Sequence, residues 1–259
     1  MVHFVGAGCG APDLITIRGK KYVDSADCVI YAGSLVNPAL LDDVKDGCLI
    51  YNSARMTLEQ VIKVIRSCEE KGLTTVRLHT GDPCLYGAVR EQMDALDSLG
   101  IRYDWTPGVS SFCGAAASLN MEYTLPGISQ SVIITRMEGR TPVPERESIA
   151  SLAKHKTTMV IFLSAGLLEE LTRELMKGGL SEDTPAAIVY RASWPDELDL
   201  ICTVGTLKET AEKNHVHKTA LIIVGKAVKQ AHYSRSRLYD PSFETGYRPA
   251  SSHAGNDQL

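Results

Sequence analysis

Short apolar runs and helix-patterned segments take turns along this chain, a rhythm that neither an all-helical nor an all-strand architecture accommodates. In the first half the runs VHFV, CVIY, CLIY, TVRL and RYDW each have strand length, and the segments between them carry apolar residues at helical spacing. The clearest is LEQVIKVIRSCEEKG, where Leu58, Val61, Ile62 and Ile65 share one face. Thr57 stands where an N-cap belongs, and Gly72 stands where a helix of about four turns would stop. A second helix is expected from about Leu85 to Leu99, ending at Gly100. The rhythm predicts an α/β fold.

After the small-residue stretch SSFCGAAASL the pattern lapses. Residues 120–130 contain Pro126 and Gly127 and show no period, so a domain boundary is expected there. The runs SVIITR, TTMVIFL, AAIVY, LDLICTV and TALIIVG then resume, with two clear helical segments among them. The expected organisation is an N-terminal α/β domain over 1–120, a C-terminal α/β domain over 121–240 and a polar tail over 241–259 that frays. Either half is long enough to bury its own core.

With 27 Lys plus Arg against 31 Asp plus Glu, the net charge of -4 offers no general attraction to nucleic acid or anionic lipid. No basic and apolar leader opens the chain, and no apolar stretch is long enough for a membrane span. These features predict a cytoplasmic enzyme acting on a small molecule. The seven cysteines include no CxxC pair, so free thiols are expected, with neither a disulfide framework nor a metal centre. The regular spacing of Cys28, Cys48 and Cys68 is read as coincidence. His215 and His217, alternating in a polar stretch, are read as surface residues.

Three loops carry the functional signals. The first, GAGCGAPDLIT, satisfies G-x-G-x-x-[GA] at Gly6, Gly8 and Ala11, the fingerprint of dinucleotide binding. That reading also needs a carboxylate at the end of the second strand, where CVIY leads instead into Ala32, Gly33 and Ser34; Asp24 and Asp27 precede the strand. A tight turn before a helix started by Pro12 and Asp13 explains the glycines as well. The second loop, HTGDPCLYG, offers Gly81 for unusual backbone angles, Asp82 as cap or ribose acceptor, and Pro83 as stiffener. The third, TPGVSS, presents small side chains and free amides at Gly108, Ser110 and Ser111. All three follow strands, so they are expected to meet on one rim of the sheet.

These loops, together with TMVIFLS, IVYRASWPDE and KTALIIVG, resemble the tetrapyrrole methylases, and the resemblance runs from residue 2 to about residue 248. YAGSLVNPALL, SQSVIITRMEGRTPVPE and SRLYDPSF are similar to the branch that methylates C11 of precorrin-4 or cobalt-precorrin-4 in cobalamin biosynthesis. One departure is Cys9, where the family usually has proline. The resemblance implies a two-domain α/β methyltransferase of class III, a homodimer, with S-adenosylmethionine in a cleft between the domains. It implies cofactor contacts from Thr80, Gly81, Asp82 and Leu85 and from Ser110 and Ser111. In the C-terminal domain it implies an adenosine pocket lined by Phe162, Leu163, Tyr190, Arg191, Ala192, Thr219 and Ala220. The alternatives are a sister methylase acting on another ring carbon or on uroporphyrinogen, and a nucleotide-dependent oxidoreductase based on GAGCGA.

Methyl transfer from a sulfonium needs alignment rather than a nucleophilic side chain, and no catalytic residue is assigned. A macrocycle fringed with carboxylates calls for guanidinium groups, for which Arg136 and Arg140 are the candidates beside Tyr86. Surface ion pairs of these arginines with Glu138 or Glu145 are the competing reading. Glu138 and Asp104 are candidate proton acceptors.

Overall fold

The computed structural model describes residues 1–229 and 233–251. Its described residues form two five-stranded sheets. The first consists of β1 (Val2–Gly6), β2 (Cys28–Tyr31), β3 (Leu49–Asn52), β4 (Thr75–His79) and β5 (Tyr103–Thr106), in the order β3-β2-β4-β1-β5 with parallel neighbours. All five apolar runs of the first half are strands of this sheet. Its register sets Val5 opposite both Leu78 and Thr106, so β1, β4 and β5 finish level and their loops leave from one edge.

Helices cover both faces of this sheet, which is why the inner strands β1 and β2 read as continuous apolar runs, whereas β3 at the edge is largely exposed. Val2, Phe4 and Ile30 pack with Val61 and Ile65 of α2 (Leu58–Glu70) and with Met93 and Leu96 of α3 (Arg90–Ser98). On the other face Val5, Val29, Val76 and Leu78 pack with Val23 of α1 (Ile17–Ser25) and with Val36 and Leu40. Helix α2 is closed at both ends as expected. Thr57 and Gln60 form a reciprocal capping box, and Gly72, at φ 69°, ends it while Leu73 N donates to Cys68 O.

Two details differ from the sequence reading. Pro12 and Asp13 begin a single 3-10 turn, and α1 starts later, where Thr16 Oγ1 accepts from Gly19 N at 3.1 Å. Helix α3 begins at Arg90 rather than near Leu85, because Tyr86 (φ 56°) and Ala88 (φ 48°) are left-handed. Cys28 of β2 and Cys68 of α2 lie in one core, while Cys48 packs against the core on the other face of the sheet. Burial, with the Cys68 thiol beside it, pushes the Cys28 thiol well up. All seven cysteines are free.

The second sheet contains β6 (Val132–Arg136), β7 (Thr158–Phe162), β8 (Pro185–Tyr190), β9 (Leu198–Thr203) and β10 (Ala220–Val224), in the order β6-β7-β10-β8-β9. Here β6 and β7 run parallel, and β7 and β10 antiparallel. These are the five runs read from the second half. Helix α4 (Ser111–Ser118) precedes this region; within it lie α5 (Ile149–Ala153), α6 (Leu168–Lys177) and α7 (Leu207–Lys213).

The chain divides into two compact units. One comprises Met1–Asn120 with Ile188–Leu200 and Asn214–Leu221; the other comprises Met121–Ala187, Ile201–Lys213 and the chain from Ile222 onward. Residues 121–130 contain no helix or strand, yet Met121, Tyr123 and Leu125 are buried. Of the expected tail, residues 252–259 lie outside the described residues. Up to Ser251 the chain is tied together by Arg248, whose guanidinium donates to the carbonyls of Leu238, Asp240 and Phe243.

Candidate functional site

The three glycine loops meet backbone to backbone in the first unit. Gly81 N donates to Gly8 O at 2.8 Å and Gly8 N to Gly81 O at 3.3 Å, with Gly8 at φ 81° and Gly81 at φ 57°. A Cβ on Gly6 would lie 2.6 Å from both Gly108 N and Gly81 O, and one on Gly108 only 2.2 Å from Gly81 O. Only chains without side chains at these positions can converge so closely. Asp82 fastens the join: one carboxylate oxygen accepts from Gly108 N at 2.8 Å, the other from Cys84 N at 2.8 Å. A hydrogen bond from the Cys84 thiol to the Asp82 carboxylate, then burial and the Asp82 charge, raise that thiol to about 11.

Around this join lie the other residues expected in loops two and three. Thr80 Oγ1 donates to Leu35 O at 3.3 Å, Leu85 is half-buried and Tyr86 is exposed. Ser110 precedes α4 without capping it through its side chain, and Ser111 is the first residue of that helix. A Cβ on Gly81 would stand 3.4 Å from Ser111 N, so the start of α4 abuts loop two.

The same unit recruits the late segment YRASWPDE. Arg191 N donates to Thr219 O at 3.0 Å, and Arg191 (φ 48°), Ser193 (φ 64°) and Thr219 (φ 55°) are all left-handed. The Arg191 guanidinium lies 4.0 Å over the Trp194 ring and pairs with Asp196 at 2.6 Å. Trp194 in turn covers Gly10, where a Cβ would meet its ring at 2.2 Å. Ser193 Oγ accepts from Ala11 N at 2.9 Å and lies 3.3 Å from Cys9 Sγ. Asn37 Nδ2 donates to Gly10 O at 3.0 Å. Tyr190, Arg191, Ala192, Thr219 and Ala220 thus belong to the unit of the glycine loops. Asn37, Ser193 and Trp194 are supports that no local pattern announced.

This geometry disposes of the dinucleotide reading. Gly6 and Gly8 are consumed in contacts with the other loops, Ala11 is tied to Ser193, and no helix opens directly behind them to receive a pyrophosphate.

Phe162 and Leu163 lie in the second unit, at the end of β7. Leu163 is 66% exposed and left-handed at φ 54°, an uncommon state for a bulky apolar residue and one that clusters at binding sites. Ser164 holds this turn, donating to Phe162 O at 2.6 Å and accepting from Met137 N at 2.9 Å. Arg136 directs its guanidinium to the carbonyls of Met137, Thr141 and Pro142, at 3.1, 3.2 and 2.9 Å. Arg140 is exposed, and among the described residues neither arginine forms an ion pair with Glu138 or Glu145. Asp104 is bonded to His3 Nδ1 at 2.7 Å, and Glu138 is exposed. His215 and His217 are exposed, and no group of three potential ligands for a metal ion occurs among the described residues.

Two buried side-chain polar atoms among the described residues have no hydrogen-bond partner: His79 Nε2 and Thr106 Oγ1. They sit at the ends of β4 and β5, immediately before loops two and three. Burial first, and the neighbouring Arg77 charge second, lower the His79 imidazole to about 3.

Two α/β units, one of them bearing a rim of glycine loops with left-handed turns beside it, are the form of a small-molecule transferase. Residues 1–208 match the family described as Tetrapyrrole (Corrin/Porphyrin) Methylases. The cobalt-precorrin-4 C(11)-methyltransferase of Methanocaldococcus jannaschii is 51% identical over 247 residues, covering 95% of each chain. A solved cobalt precorrin-4 methyltransferase, described as a cobalamin biosynthetic enzyme, superimposes with a TM-score of 0.86 at 44% identity, covering 88% of this chain and 95% of that one. The uroporphyrin-III C-methyltransferase of Thermus thermophilus, complexed with S-adenyl homocysteine, gives a TM-score of 0.74 at 26% identity over 88% and 99%. The chain belongs to the tetrapyrrole methylase family.

Proposed function

We propose that the protein transfers the methyl group of S-adenosylmethionine to C11 of precorrin-4 or cobalt-precorrin-4, acting as a cytoplasmic homodimer. The observation that carries this reading is the likeness, over nearly the whole chain, to an enzyme of that name. The loop geometry supports it. Gly81, Ser110 and Ser111 carry no bulky side chain where loop two abuts the half-buried start of α4, so backbone amides there are not screened from a polar ligand by side-chain bulk.

The cofactor supplies an electrophilic methyl on a sulfonium, whose positive charge disappears as the methyl leaves. What this chain adds is alignment, and fixed geometry of this kind contributes on the order of 7 to 11 kcal/mol when complete. Thr80, Gly81, Asp82, Leu85, Ser110 and Ser111 hold the cofactor, with Tyr190, Arg191, Ala192, Thr219 and Ala220 of the same unit. Both oxygens of Asp82 already accept from loop amides, so its main work is keeping loops two and three in register. Tyr86 and Arg140 meet the substrate. Arg136 contributes by shaping the loop that presents Arg140, since its own donors are taken up by carbonyls of that loop.

Incubation with methyl-13C-labelled cofactor and each substrate form, followed by NMR of the product, tests the assignment. Label at C11 is expected, and the preferred form, with or without cobalt, is read from the rates. Label at another ring carbon would make this a sister methylase.

A further inference from the structure

Residues 82–89 form an unusually constrained loop. Tyr86 and Ala88 are left-handed, and between them a Cβ on Gly87 would lie 2.3 Å from Pro83 O. Backbone in such states persists only where its surroundings over-determine it. The restraint on Ala88 comes from the core: Gln92 Nε2 donates to Ala88 O at 2.8 Å, and Gln92 Oε1 accepts from Arg77 Nε at 2.9 Å. Arg77 is anchored through Nη1 to Ile30 O at 3.1 Å, at the neighbouring position of β2.

The chemistry of this chain of bonds leaves it a single arrangement. A guanidinium only donates and a carbonyl only accepts, so the Gln92 amide has its orientation set from both ends. Arg77 is 6% exposed and Gln92 5%, and among the described residues no carboxylate pairs with Arg77. A buried arginine with neutral partners is a poor way to gain stability, since apolar residues of similar volume serve a core at least as well. Its placement makes sense as a rigid support that reaches from the sheet to the loop.

We propose that Arg77 and Gln92 are positioning residues for methyl transfer, holding residues 82–89 in their left-handed turns and so placing Leu85 and Tyr86 against cofactor and substrate. This rests on the reading of that loop as part of the binding site. Gln92→Glu tests it: the carboxylate keeps accepting from Arg77 but, ionised, has nothing to donate to Ala88 O. The thermal midpoint should stay at or above that of the wild type, while amide hydrogen exchange across 84–89 accelerates and S-adenosylhomocysteine affinity or the tetrapyrrole KM worsens by about tenfold, the worth of roughly one hydrogen bond. Gln92→Leu, which frees both partners, should loosen the same amides and also lower the midpoint. Unchanged exchange at 84–89 in Gln92→Glu would overturn the proposal, as would losses in that variant that merely follow a lowered midpoint. Wild-type protein that fails to bind S-adenosylhomocysteine would instead overturn the reading of the loop as a binding segment, because the exchange measurement needs no ligand.

Discussion

Gly108 shows how much a single hydrogen in place of a side chain can decide. Its missing Cβ is what lets loop three touch Gly81 O and the Gly6 backbone. The atoms in the way are main chain and cannot rotate aside. Gly108→Ala is therefore expected to cost about 3 kcal/mol in urea unfolding, as overpacking does, and to weaken S-adenosylhomocysteine binding in calorimetry. Gly100→Ala is the control: its φ is 65° but nothing lies near its Cβ position, so only backbone strain of about 1 kcal/mol applies. Equal losses in the two variants would mean that the convergence of the loops is not tight. Asp82 carries a related lesson. Its residue type announced a hydrogen-bond acceptor, but that it would accept from Gly108 N depended on a loop 26 residues away in sequence.

Elements were legible where their signals are local. The ten strands of the described residues coincide with the ten strand-length runs; in β1, β7 and β10 burial leaves an uninterrupted apolar stretch, while the edge strands β3 and β9 are largely exposed and are marked by strand-forming composition. Helix α2 was readable to its ends, since capping box and terminal glycine are written in adjacent residues. Thr57→Ala should lower stability by about 1 kcal/mol, seen as a lower thermal midpoint, while methyl-transfer kinetics stay at wild-type values. The start of α3 was not readable. LYGAV has acceptable helical composition, and only the Gln92 bond to Ala88 and the crowding of Gly87 on Pro83 turn it into a loop. The same holds for YRASWPDE, whose three-dimensional neighbours Gly10, Ala11 and Thr219 include two from the opposite end of the chain.

At the scale of the whole molecule, the buried imidazole of His79 ties stability to pH. Its folded-state value of about 3 lies below the ordinary 6.5, so the unfolded chain takes up the proton first. The contribution of the neutral ring is complete above about pH 6.5 and is lost as the pH falls toward 3, at up to ~1.4 kcal/mol per pH unit within that window. Urea unfolding of the wild type across this range should show the decline, and His79→Gln should flatten it; parallel curves would refute the assignment. The division of the chain also belongs to this scale. Ile188–Leu200 and Asn214–Leu221 join the unit of residues 1–120, although the chain passes through the other unit to reach them.

What the sequence determined by itself was the α/β alternation, the position of each strand, the ends of α2 and the family. Periodicity, capping residues and motif spacing are properties of neighbouring residues, and they survive without a fold. What only the tertiary structure decided was which glycines touch, why Gly6 and Gly8 serve loop packing rather than a dinucleotide, and how Arg77 and Gln92 reach the loop beside them. Those facts rest on close approach between segments distant in sequence, where a few tenths of an ångström separate contact from collision, and no local pattern encodes that.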